Sequence, residues 1–278
     1  MAHPQTDSPL FRLPPELRGL IAQHLFSSTT LYFSYYPFLS PIPNPLSLLR
    51  TCRRAYNELG DTWLCHALLD FSDPQTMLNE LDTLGREVIA RMRHVYVGSS
   101  HLRVFGAELL GCADALDLLP GLQLDTLTVR GGINDLHNMR YFEALLKEGR
   151  GFRELRFVFE GAFVVTEPQT SGPNTIFKIY NYYIRAQPQH WQGLLEERDG
   201  KGSRPRVNIY KSTVPECCEV AIDLWMRTRL NQVEEVYAGQ FIRVFDDVIW
   251  QRGWGKLPKD YSEVVIVARR GRGIDYAV

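Results

Sequence analysis

Met92-Arg-His-Val-Tyr-Val97, Leu124-Asp-Thr-Leu-Thr-Val129 and Phe152-Arg-Glu-Leu-Arg-Phe157 share one template, apolar at the first, fourth and sixth positions. Each reads as a short strand, because residues two apart fall on one face of an extended chain. The segments start at 92, 124 and 152, giving spacings of 32 and 28 residues, and helical patterns over 104–119 and 136–147 fill the gaps. Strand and helix therefore alternate, and the chain belongs to the α/β class. Upstream, Asp73-Pro74 is a capped helix start, with Met77, Leu78, Leu81, Leu84, Val88 and Ile89 as the buried side. Downstream, Val207-Asn-Ile-Tyr210 and Val264-Val-Ile-Val267 read as further strands. Longer stretches separate them, in which 176–184 and 215–230 carry helical patterns.

A strand and helix repeating at this period resembles leucine-rich-repeat-like arrays, in which each unit buries its apolar face on the next. The template lacks that family's usual asparagine, and the period lapses after the third strand. Two architectures fit. One is a single irregular layer of side-by-side strands with helices on one face; the other is an ordinary α/β sandwich. The repeat-like layer is preferred.

Before this region the chain reads Phe11-Arg-Leu-Pro-Pro-Glu-Leu-Arg-Gly-Leu-Ile-Ala-Gln-His-Leu25. Pro14 and Pro15 suit a first helical turn, where the amide that proline lacks has no intrahelical acceptor. Glu16 lies near the positive end of the helix dipole, and Leu17, Ile21, His24 and Leu25 recur at helical spacing as one apolar stripe. Arg18 is expected on an exposed face. Asn44-Pro45 is a second start signal, with Asn44 as N-cap. Leu49, Cys52, Tyr56, Leu59 and Trp63 then follow on one face, opposite Arg50, Arg53, Arg54, Asn57 and Glu58. Between the two helices, Leu31, Phe33 and Tyr35 alternate with Tyr32, Ser34 and Tyr36, the pattern of a short strand or hairpin packed on the helices.

The phrase Leu13-Pro-Pro-Glu-Leu-Arg18 and the helix that follows resemble the opening of an F-box, the helical module by which substrate receptors dock on the Skp adaptor of cullin-based ubiquitin ligases. A group of fungal F-box-like proteins opens with the same phrase. The resemblance implies an F-box-like module over residues 8–72, with an aromatic insertion longer than the usual connection, and an irregular leucine-rich-repeat-like receptor domain over 73–278. It implies a Skp-family adaptor and an unknown target protein as partners. It nominates Leu13, Pro14, Leu17, Ile21 and Leu25, with Leu49 and Trp63, for apolar contacts to the adaptor. A scaffold in which the helices are an ordinary N-terminal cap is the second reading, and an enzyme of unrecognised class is the third.

Composition narrows the rest. Hydrophobic residues make up 45% of the 278, ample for a core, and a formal net charge of -1 gives no global reason for a nucleic-acid partner. The five cysteines, Cys52, Cys65, Cys112, Cys217 and Cys218, are odd in number and show no paired two-residue spacing, which points to a reducing compartment, cytoplasmic or nuclear. Neither a secretion signal nor a run of eighteen apolar residues is present, so no membrane partner is expected.

No catalytic signature is found. Gly-x-Ser-x-Gly, His-Glu-x-x-His and Gly-x-Gly-x-x-Gly after a strand are all missing. Gly200-Lys201 lacks the upstream glycine that a phosphate loop needs, and 198–206 reads as a surface loop from helix to strand. Adjacent carboxylates at 196–197, 234–235 and 246–247 point in different directions on a strand or helix. The seven histidines, His24, His66 and His94 among them, are scattered without metal-ligand spacing. No cofactor or metal is expected. Cys217-Cys218 reads as one buried and one partly exposed thiol. The aromatic stretches 177–183 and 241–254, with Trp191, read mainly as core, and any on an open strand face suit a protein-binding hot spot. Arg269-Arg-Gly-Arg-Gly273 reads as a solvated basic tail.

Overall fold

The computed structural model describes residues 8–33, 46–98, 111–131, 138–165, 182–185, 187–212, 233–235, 241–244, 262–271 and 274. The chain opens with α1 (Pro9–Arg12) and α2 (Pro15–Ser27) and enters β1 (Thr30–Phe33). Two short helices follow, α3 (Ser47–Thr51) and α4 (Arg53–Leu59), then a single 3₁₀ turn (Trp63–Cys65) and β2 (Leu68–Phe71). The sequence pattern predicts one helix across this stretch. Cys52 breaks it, with extended backbone at φ −162° and ψ 159°, and its Sγ accepts from the Ala55 amide as the N-cap of α4. Asn44, Pro45 and the rest of the insertion, 34–45, lie outside the described residues.

Next come α5 (Pro74–Asp82), α6 (Arg86–Ile89), β3 (His94–Val97), α7 (Cys112–Asp117), β4 (Leu124–Gly131), α8 (Asn138–Lys147) and β5 (Phe152–Val165). Asp73 caps α5 as expected, accepting from the Thr76 amide at 2.8 Å, with Pro74 at the first helical position. The chain ends with β6 (Tyr182–Arg185), α9 (Pro188–Asp199), β7 (Arg206–Ser212), β8 (Val233–Glu235), β9 (Phe241–Val244) and β10 (Ser262–Arg269).

All these strands join one mixed sheet, in the order β1-β2-β3-β4-β5-β10-β7-β8, with β9 on the far half of β5 and β6 on β9. From β1 to β5 the strands are parallel and adjacent in chain order. Beyond β5 the pairing is antiparallel, and β10 inserts between β5 and β7. The nine apolar template positions all enter one core: Met92, Val95, Val97, Leu124, Leu127, Val129, Phe152, Leu155 and Phe157. Side chains of α5 to α9 join the same cluster, so these helices cover one face of the sheet. Aromatic rings anchor it, with Phe142 edge-on to both Phe157 (5.4 Å) and Trp191 (5.3 Å).

Several expectations need correction. The sheet crosses the expected boundary at residue 72, because β1 and β2 belong to the N-terminal segment and β2 pairs with β3 in parallel. The strand expected to pack on the helices is instead the parallel partner of β2, with Phe33 stacked on Phe71 at 4.8 Å. Leu84 and Val88 are exposed rather than buried, since the helix ends at Asp82 and restarts at Arg86. Residues 182–184 form a strand, not the end of a helix. The remainder of that helix, 176–181, and the helix expected over 215–230 lie outside the described residues, as does 104–110 before α7.

Candidate functional site

Pro14 and Pro15 begin α2 as N-cap and first helical residue, and Glu16 stands in its first turn. The helix then divides in an unusual way. Ala22 and Phe26 are buried with Leu49 and Leu59 in a small cluster that Leu46, Leu48 and Trp63 flank. In line with them lies Arg18, only 5% exposed. Its Nε donates to the Glu58 carboxylate at 2.8 Å, its Nη1 donates to the Leu13 carbonyl, and its guanidinium lies 5.8 Å from the Phe11 ring centre. Arg54 donates to the same carboxylate at 2.9 Å and stacks on Phe11 at 4.6 Å. Hydrogen bonds from Arg54 and Arg18 hold the Glu58 carboxyl below its usual range.

The more apolar face of α2 points outward. Leu17 is 46% exposed, Leu20 52%, Ile21 45% and Leu25 38%. Spaced at i, i+3, i+4 and i+8, they form a continuous strip on one side of the helix. Before the helix start, Pro14 is exposed and Leu13 half-buried. Scattered exposed aliphatics are normal; Leu17, Leu20, Ile21 and Leu25 stand together on one side of the helix.

Of the seven nominated residues, Leu17, Ile21 and Leu25 lie along this strip, and Leu13 and Pro14 stand before the helix in extended backbone. Leu49 is core at 8% exposure, and Trp63 is half-buried, packed against both the small helical cluster and the main core. Leu20 joins the strip three residues after Leu17, a spacing legible in the sequence. On α4, Tyr56 is 62% exposed rather than on the buried side, and the break at Cys52 turns it outward. Arg18 is the reverse case, a charge expected at the surface that is buried on its ion pair.

On the sheet face away from the helices, register aligns Tyr32, Asp70, Tyr96, Thr128 and Arg156 across β1 to β5, and of these Tyr32 is exposed whereas Tyr96 and Thr128 are buried. Beside this row, Glu154 accepts from Arg156 at 2.5 Å and from Arg269 at 2.6 Å. Burial raises the Glu154 pKa, but the charge of Arg156 and the bonds from Arg269 and Arg156 outweigh it and hold the carboxyl below its usual range. Arg269 and Arg270 of the predicted basic tail are thus part of the fold, and 272–273 lie outside the described residues. Arg269 pairs with Glu154, and Arg270 donates twice to Asp199, at 2.6 and 3.0 Å.

Among the described residues no group of three or more His, Cys, Asp or Glu side chains is arranged to hold a metal ion. Burial, with the nearby Asp114 charge, pushes the Cys112 thiol up to about 12, which keeps it protonated and inert. Around 200–205 the chain turns through Gly200 and Gly202 at positive φ, and Arg198 points inward to the Leu145 and Gly149 carbonyls. Cys217, Cys218, Asp246, Asp247 and the aromatics at 177–181 and 245–254 lie outside the described residues. No family model, no curated protein and no solved structure matches the chain.

Proposed function

We propose that this chain is a non-enzymatic binding protein whose α2 strip docks a Skp-family adaptor, with the strand-helix layer presenting a target to a ubiquitin ligase. One observation carries the reading. Leu17, Leu20, Ile21 and Leu25 face solvent from a helix that holds itself to the fold by its opposite side. Of these the F-box resemblance nominates Leu17, Ile21 and Leu25, with Leu13 and Pro14 before them. The run of parallel strands from β1 to β5, adjacent in chain order with helices on one face, supports the leucine-rich-repeat-like reading of the receptor half. On the other sheet face Tyr32 is 52% exposed, an aromatic type suited to contacting a protein target.

A second reading, in which the helices are a structural cap, has its own support. The N-terminal segment supplies β1 and β2, and Trp63 joins its cluster to the main core. Co-expression of the full chain with a Skp-family adaptor, followed by size exclusion, separates the two. The docking reading expects co-elution that Ile21→Asp abolishes while the thermal midpoint holds. Ile21 is exposed, so this substitution tests the surface, whereas Arg18→Glu would place two carboxylates together in a buried site and test folding instead. A folded wild-type chain that never co-elutes favours the cap.

A further inference from the structure

The two faces of α2 are arranged against the usual order. Its buried row is Arg18, Ala22 and Phe26, and its exposed row, one position earlier at the same spacing, is Leu17, Ile21 and Leu25. Adjacent helical residues are about 100° apart, so a roll of that size brings the Leu17 row to the place of the Arg18 row and carries the Arg18 row on to where exposed Gly19, Gln23 and Ser27 now stand. Rolled, the helix would bury three branched aliphatic side chains in place of one phenylalanine, one alanine and a charged arginine. By apolar area that orientation is at least as favourable, so the hydrophobic effect does not by itself select the observed one.

What differs between the two is the arginine. In the observed orientation its guanidinium meets the Glu58 carboxylate of α4, the Leu13 carbonyl just before α2 and the Phe11 ring of α1. A buried arginine is tolerated only where its charge and donors are met, and these three partners surround one place. Arg54, held by the same carboxylate and the same ring, fixes Glu58 from the other side.

We infer that the Arg18–Glu58 ion pair is a positioning device that sets the roll of α2 and so keeps Leu17, Ile21 and Leu25 outward. The purpose of that orientation rests on the docking reading; the orientation itself does not. The pair makes the arginine of the Leu13-Pro-Pro-Glu-Leu-Arg18 phrase the selector of which face a partner meets. It acts through the helix and need not touch the partner.

Hydroxyl-radical footprinting of the full chain without adaptor, read by peptide mass spectrometry, tests this. In Arg18→Met with Glu58→Met, the charge is gone and a hydrophobic pair fills the site. Oxidation of Leu17, Ile21 and Leu25 is then expected to fall by about threefold, as half-exposed side chains become buried, while oxidation of Phe26 rises. A folded methionine pair with the native footprint overturns the inference. So does a methionine pair that does not fold, because the ion pair would then be a requirement of folding rather than of orientation. Failure of the wild-type chain to bind an adaptor sinks the docking reading and leaves this result unaffected.

Discussion

Replacing Asp199 with alanine should be among the most damaging single changes in this chain. Its side chain is fully buried and accepts from Arg270 at 2.6 and 3.0 Å and from Arg198 at 2.8 Å. The Arg270 side chain is itself only 8% exposed. This cluster fastens the end of α9 to the end of β10, and through Arg198 to the Leu145 carbonyl in the last turn of α8 and the Gly149 carbonyl just after it. Asp199→Ala leaves two guanidinium groups in a buried site without the carboxylate between them, and breaking a buried pair from one side costs about 3–5 kcal/mol. Against a total of roughly 5–15 kcal/mol for a domain, that is a large fraction. Arg270→Met should cost less, about 1.5–3 kcal/mol, because Asp199 keeps Arg198 and only the charge-assisted bonds to Arg270 are lost. Urea unfolding reads both as midpoint shifts at constant slope. A loss below about 1 kcal/mol for Asp199→Ala, or a larger loss for Arg270→Met, would refute the reasoning.

Acid should weaken the fold through the same groups. Burial raises the pKa of Asp199, but its bonds from Arg270 and Arg198 outweigh that and leave it lowered, so its stabilisation is present above the usual carboxyl range and lost as pH falls through its folded value. Stability curves of the wild type and Asp199→Asn, measured by urea unfolding between about pH 6 and pH 2, should therefore converge on the acid side; parallel curves would contradict this. Asp73→Ala, which removes the α5 cap, should cost about 1 kcal/mol in the same assay. Trp191→Ala, in the core against Phe142, should cost about 3–5 kcal/mol, whereas exposed Tyr56→Ala should stay within about 0.5 kcal/mol.

The central strands were legible because their apolar positions carry a periodicity that survives without neighbours, and all nine template residues are core. β1 and β2 were harder to read as sheet. Each has only four residues, and in β2 Leu68 lies on the face opposite Leu69, so alternation is blurred. Tyr182-Tyr-Ile184 is an apolar run that fits either period, and the structure settles it as a strand. The α2 strip could be read from spacing, but not which of its sides faces outward. That choice involves Glu58, forty residues from Arg18. Arg269 and Arg270 were misread as a tail for the same reason, since Glu154 and Asp199 are remote in sequence. Local pattern records propensity and periodicity; it does not record where a distant carboxylate will stand.

Titration calorimetry of the purified full chain with a purified Skp-family adaptor addresses the proposed function most directly. The account predicts saturable one-to-one binding, weakened at least about tenfold, or 1.4 kcal/mol, by Leu17→Asp and by Ile21→Asp, with both variants as stable as the wild type. A folded wild-type chain that gives no binding, or one whose binding is unchanged by both substitutions, would contradict it.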